Sequence, residues 1–340
     1  MTMELIRGRS LSTYQRLNIF GILDLDSEKP INEIKGIEMT TVTYSGVYSI
    51  PVTPFNEDRT IDFKSLAKCL EFLVAKGSDG IVLPVNVSEA SKLSDSEKDA
   101  ILQSAVDVIG DEVPLIAGVS GSSTEHVLER ALKSEECGIE AIMCMPPVNY
   151  SSESEFFDFY ATLSEKTSMN IWVQNNKPPA CPSIPQTILG RIINEIDRVD
   201  FLKEESANSG HMHTVMHELC GANLKSIMGG SGGRFIIDEY RRGSNGIMPS
   251  GHMVEAHRIL WDQLELSEEG QISEKAIDTW NQMLESLTFE FQFSVTAYKY
   301  FFWKRGIIRT NITREPAKQL DKFDQVEADR ILDRLAHRFF

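Results

Sequence analysis

Cysteine is scarce in this chain: Cys69, Cys137, Cys144, Cys181 and Cys220 are five among 340 residues, an odd number, widely spaced and with no C-x-x-C pair. A disulfide framework is not expected from that pattern; reduced, buried thiols in a cytoplasmic protein are. Long apolar runs are missing as well, none approaching the ~20 residues that span a bilayer. The opening residues MTMELIRGRS lead into no apolar stretch of the kind a secretory signal carries. Positive charge is in deficit, 34 Lys and Arg against 50 Asp and Glu, for a net charge of −16. That field opposes a nucleic-acid backbone or an anionic membrane as the main partner. An anionic small molecule would need a locally favourable pocket, which backbone N–H groups and single cations can supply.

What is present is ordinary for a folded globular chain, 41% hydrophobic and 25% charged. From residue 46 onward, short apolar segments alternate with amphipathic ones, as expected when parallel strands are each followed by a crossover helix. Eight candidate strands run Val47 to Val52, Gly80 to Pro84, Pro114 to Gly118, Ala141 to Met145, Asn170 to Gln174, Asp200 to Lys203, Lys225 to Met228 and Gly246 to Met248. Between the first two, FKSLAKCLEFLVAKG puts Phe63, Leu66, Leu70 and Leu73 or Val74 on one helical face and stops at Gly77. Ser94 and Glu97 have capping-box spacing at the head of a helix running to Gly110. Eight units of roughly 30 residues close more naturally into a (β/α)8 TIM barrel than into an open sheet.

The domain expectation follows. Residues 1–38 form an N-terminal extension, read either as disordered or as lying upstream of a true start at Met39; residues 39–255 form the barrel; residues 256–340 form an appended C-terminal helical region. That last part comprises EAHRILWDQL, a long stretch from Glu274 to Phe302 and a final helix from about Gln325.

In such a barrel the chemistry gathers at the C-terminal ends of the strands. Five segments there are unusual: PVNVSE (84–89), MPPVNY (145–150), VQNNKPP (173–179), FLKEES (201–206) and MGGSGG (228–233). Lys203 is the sharpest, because an amine attacks a carbonyl only when neutral and an apolar strand end is where desolvation favours the neutral form. Taken alone, it reads sooner as a lysine ion-paired to Glu204 and Glu205 than as a nucleophile. Asn86 and Ser88 fit either a turn with an N-cap or a ligand-binding loop, and Glu89 orders that loop. Gln174 and Asn175 are neutral hydrogen-bonding groups that suit the hydroxyls of a polyol. Lys177 reads as an exposed loop lysine. The glycines around Ser231 allow close backbone approach, but their spacing is no P-loop and Ser231 has no nucleophile elbow. His211, His213 and His217 lack an acidic ligand pattern, so no metal is expected. The aromatic run FEFQFSVTAYKYFFWKRG (289–306) reads as helix packing or a subunit interface.

Five ordered segments carry a resemblance: VTPFNEDRTID (52–62), GSDGIVLPVNVSE (77–89), LSDSEKD (93–99), FLKEES (201–206) and RRGSNGIMPSG (241–251). From about residue 46 to about residue 255 the chain resembles the family of dihydrodipicolinate synthase and N-acetylneuraminate lyase. Its N-V-S-E and V-Q-N segments are most similar to the 2-keto-3-deoxy-L-arabonate (pentonate) dehydratase branch. The resemblance implies a Schiff-base lysine at Lys203 and no cofactor. It implies a small 2-oxo-acid substrate, pyruvate or a 2-keto-3-deoxy sugar acid, and a homodimer or homotetramer. The family's carboxylate-binding threonines fall on Asn86 and Val87, where backbone N–H groups remain. Its proton-shuttling tyrosine falls on Val148, which cannot ionise, leaving Tyr150, Glu204 or a bound water to move protons. The tyrosine of its Y-N-x-P segment is replaced by Gln174, and Gly230 with Ser231 is expected to form a pocket wall. Dehydration of a sugar acid is the expected activity. Pyruvate-dependent aldol chemistry or condensation is the first alternative, and a catalytically impaired sugar-acid-binding protein is the second.

Overall fold

A computed structural model describes residues 44–267 and 271–340, so the expectation for residues 1–38 lies outside the described residues. Eight strands, β1 (Gly46–Ser49), β2 (Gly80–Leu83), β3 (Leu115–Gly118), β4 (Ala141–Cys144), β5 (Asn170–Asn175), β6 (Phe201–Glu204), β7 (Ser226–Gly229) and β8 (Gly246–Ile247), pair in parallel and in chain order into a closed barrel. Each coincides with an expected strand to within a few residues.

Helices follow each strand: α1 (Phe63–Ala75), α2 (Asp95–Ile109), α3 (Thr124–Glu136), α4 (Glu153–Lys166), α5 (Gln186–Glu195), α6 (Ser209–Cys220), α7 (Ile236–Arg241) and α8 (Val254–Glu265). The Ser94–Glu97 capping box is formed at the head of α2, with Glu97 N–H donating to Ser94 Oγ and Ser94 N–H to Glu97 Oε2. Leu66, Leu70 and Leu73 are buried on α1, as the helical spacing requires.

Strand alternation sorts the interior into two cores, because successive side chains leave opposite faces of a strand. Leu202, Val173 and Ile171 face outward into the layer beneath the helices. Phe201, Trp172, Met228, Tyr44 and Tyr48 fill the barrel itself. Tyr44, Trp172 and Phe201 form a plug, with Trp172 stacked on Phe201 at 5.2 Å and Tyr44 edge-on to both at 5.5 and 4.9 Å. Burying an aromatic of this size contributes about 1.5–3 kcal/mol and each such ring pair about 1 kcal/mol more. The next inward positions up the strands are Gln174 and Lys203, which are register neighbours as Trp172 and Phe201 are. The plug thus seals one end and leaves these polar groups facing the other.

Three further helices follow the barrel: α9 (Glu274–Phe293), α10 (Val295–Lys304) and α11 (Lys322–Phe339). The stretch expected as one helix from Glu274 to Phe302 is broken at Ser294, whose φ is +50°. No proline or glycine marks the break, so helical periodicity reads through it. Beyond the break, α10 packs against the segment after β8. Among the described residues, no helix is long and apolar enough to cross a membrane.

Candidate active site

Lys203 is buried, 3% exposed, at the top of the inner face of β6. Its Nζ lies 3.4 Å from Glu205 Oε2. Glu205 is two residues on and therefore on the same side of the chain. Its Oε2 also accepts from Gln174 Nε2 at 2.8 Å and Asn176 Nδ2 at 3.3 Å, and its Oε1 from the Ser231 N–H at 3.4 Å. Burial pushes this carboxyl up, but Lys203 and the Gln174 amide outweigh it and hold Glu205 below the ordinary glutamate range. Gly230 makes room for the pair, since a Cβ there would stand 2.2 Å from Glu205 Oε1.

Above Lys203 and Glu205 lies a cavity of about 80 Å³, walled by Asn86 and Val87 after β2, Gln174 from β5, Ser231 and Gly232 after β7, and Met248 and Ser250 at the end of β8. The Asn86–Ser88 turn stands at the end of β2, with the Ser88 N–H donated to Val85 O at 2.9 Å, and the left-handed turn at Ser231 and Gly232, φ +52° and +70°, brings main chain close on the opposite wall. Such backbone concavities hold anions.

Not every expected residue reaches this cavity. Glu204, adjacent to Lys203, is turned by strand alternation to the outer face. There it accepts from Asn175 Nδ2 at 2.7 Å and the Ser206 N–H at 2.6 Å, and burial pushes its carboxyl up. Asn175 is turned outward with it. Tyr150 does not swing inward: its hydroxyl bonds Thr124 Oγ1 at 2.7 Å and its ring packs edge-on against Phe159. Neither Glu204 nor Tyr150 lines this cavity. Val148, at the position of the family tyrosine, is 70% exposed. Ser88 ties the loop down by donating to Pro51 O at 2.7 Å. Glu89 is buried beside Lys299, at 2.5 Å, and orders the loop from beneath. Lys177 is exposed. His213 is buried against Ser209 O and His217 meets Gly243 O; among the described residues no cluster of His, Cys, Asp and Glu could hold a metal.

Three polar side chains at the cavity were not among the expected site residues. Glu205 was legible in principle, because a period of two pairs it with Lys203 and sets Glu204 apart. Ser250 stands in the PSG turn after the eighth strand. Tyr298, on α10, sits within an aromatic run that suggests packing, yet its phenol lines the cavity. Burial, with Glu290 and Glu205 adding to it, pushes that phenol well above its ordinary value.

A closed parallel barrel with a buried lysine and carboxylate at its sixth strand end defines the class: a (β/α)8 barrel with its candidate site at the C-terminal strand ends. The chain belongs to the Dihydrodipicolinate synthetase family, whose model matches residues 43–335. Similar proteins include an L-2-keto-3-deoxyarabonate dehydratase of Azospirillum brasilense, 24% identical over 301 residues that cover 87% of this chain and 96% of the relative. A 4-hydroxy-tetrahydrodipicolinate synthase of Bacillus subtilis is 27% identical over 169 residues, 49% of this chain and 58% of the relative. Among solved structures, the dihydrodipicolinate synthase of Rhodopseudomonas palustris matches with a TM-score of 0.78 at 22% identity, covering 86% of this chain and 97% of that one. The enzyme from Oceanobacillus iheyensis matches with a TM-score of 0.79 at 19% identity, covering 87% and 98%. At these identities the solved structures speak for the fold alone.

Proposed function

We propose that the chain is a Schiff-base-forming lyase acting on a small 2-oxo acid, and that it dehydrates a 2-keto-3-deoxy sugar acid. The observation that carries this reading is the buried Lys203 amine facing a small cavity beside a single carboxylate, Glu205. The turn after β2 holds the substrate carboxylate through its backbone N–H groups, and Lys203 attacks the adjacent carbonyl to form an imine. The protonated imine is an electron sink, so Glu205 can remove a proton from the neighbouring carbon to give an enamine. The enamine then expels the β-hydroxyl as water. Gln174, neutral and already donating to Glu205, suits a polyol better than a charged amino-acid chain. The match to the arabonate dehydratase, 24% identical over 96% of that relative, supports the dehydration reading. A cytoplasmic location and a homodimer or homotetramer belong to the same reading.

The test is reductive trapping. Incubation with 2-keto-3-deoxypentonate or pyruvate followed by borohydride should leave a covalent adduct that peptide mass spectrometry places on Lys203, and Lys203→Ala should give none. Absence of an adduct with every 2-oxo acid tried sinks the lysine chemistry. An adduct without turnover would instead favour a sugar-acid-binding protein, and carbon–carbon cleavage products would favour an aldolase.

A further inference from the structure

One wall of the Lys203 cavity continues into a fully buried polar chain. Ser250 is 3% exposed, His252 and Ser286 are 0%, and Glu290 is 3%. Ser250 Oγ lies 2.9 Å from His252 Nδ1, and His252 Nε2 lies 3.2 Å from Ser286 Oγ and 3.3 Å from Glu290 Oε1. Ser286 in turn donates to Glu290 at 3.3 Å. Buried polar groups are costly unless satisfied, and here each one bonds the next in a line that ends at the cavity. Two successive turns of α9 supply Ser286 and Glu290. The imidazole is held flat by the rings of Phe301, stacked at 5.0 Å, and Tyr298, at 5.7 Å. Arg305 donates to the His252 carbonyl and pairs with Glu255 at 2.7 Å, which fixes the backbone as well. The charged and titratable groups that surround the ring are thus Glu290 from α9, Tyr298 from α10, Arg305 beyond it, and His257 with Glu255 on α8.

We propose that Ser250, His252 and Glu290 form a proton relay into the Lys203 cavity, with Ser250 the donor to the departing hydroxyl and His252 and Glu290 the positioning residues that recharge it. The inference rests on the Lys203 imine reading and assigns the acid that Val148 cannot be. As the β-carbon–oxygen bond breaks, its electron pair leaves on the oxygen, which takes the Ser250 proton and departs as water. Ser250 Oγ recovers a proton from Nδ1 of a His252 imidazolium. The ring, now neutral, keeps its Nε2 proton toward the Glu290 carboxylate. The proton taken from carbon by Glu205 returns to His252 through water entering the cavity after product leaves and through the Ser250 hydroxyl that lines it, so the cycle closes without an oxidant or reductant. The appended helices are on this view part of the active site, because α9 carries the carboxylate.

The experiment measures borohydride trapping and the pH dependence of kcat with 2-keto-3-deoxypentonate in wild type, His252→Gln, Glu290→Gln and Ser250→Ala. Trapping should be as in wild type for all three variants. The relay requires kcat of the wild type to fall at rising pH; His252→Gln and Ser250→Ala should lose about 100-fold in kcat, and with it that fall. Glu290→Gln should retain that fall but move it to lower pH, because the imidazolium has lost its counter-charge. A residue that merely packs would not move the profile. Variants that trap substrate and turn over with a wild-type profile overturn the relay while leaving the lysine reading intact. A wild type that traps nothing overturns both. Should His252→Gln not fold, Ser250→Ala decides the matter, since it removes one hydroxyl and leaves the buried imidazole and carboxylate in place.

Discussion

Glu204 and Glu205 are neighbours in sequence with opposite surroundings. Glu205 shares the cavity with Lys203 and is held below the ordinary range; Glu204 faces the helix layer, and burial pushes it up. We expect Glu205→Gln to lower kcat by about 10²–10⁴-fold, as removal of a general base does, while Glu204→Gln changes it by less than about 10-fold. Steady-state kinetics of the two variants check this, and equal losses would refute the assignment. Lys203 stood out because it closes an apolar strand, but its Schiff-base role was implied by the family resemblance, since the residue alone reads sooner as half of an ion pair. The choice between the glutamates was readable only through the period of the strand, which the adjacent sequence position obscures.

At the scale of elements, α10 shows how a helix far along the chain builds a barrel loop. Lys299 is buried on it, 2.5 Å from Glu89, with its Nζ donating to Ile312 O at 2.8 Å and standing 4.0 Å above the Phe55 ring. Burial pushes its amine down to about 8, against the pull of Glu89. Lys299→Met leaves a buried carboxylate short of its counter-charge and should cost about 3 kcal/mol. Adding Glu89→Gln should recover part of that loss, and urea denaturation of the single and double variants measures both. The existence of these helices was plain from periodicity. The break at Ser294 was not, nor was the assignment of Tyr298 to a cavity, because an amphipathic pattern marks which face is buried without saying what lies against it.

For the molecule as a whole, the stability profile carries the mark of a third buried carboxylate. Glu239, 1% exposed and accepting from Ser209 Oγ at 2.6 Å, is pushed up to about 8 by burial, with Glu204 and Glu205 adding to the effect. Between its ordinary value of about 4.3 and the raised one, the folded protein holds a proton that the unfolded chain has released, so this group makes stability fall as pH rises across that window. Glu239→Gln should flatten the slope, being closest to wild type near pH 5 and progressively more stable than it toward pH 8. Urea midpoints at the two ends check the sign; a gap that narrows with rising pH would refute it.

Strand count, helix spacing and the strand-end position of Lys203 followed from the sequence by itself, since they depend on periodicity, which a linear pattern carries. The tertiary structure alone decided which side chains meet that lysine. The retreat of Tyr150 toward Thr124, the arrival of Ser250 and Tyr298 at one cavity, and the line from Ser250 through His252 to Glu290 all depend on contacts between distant segments. Such contacts are set by barrel closure and by the docking of α9 and α10, and no local pattern of residues encodes them.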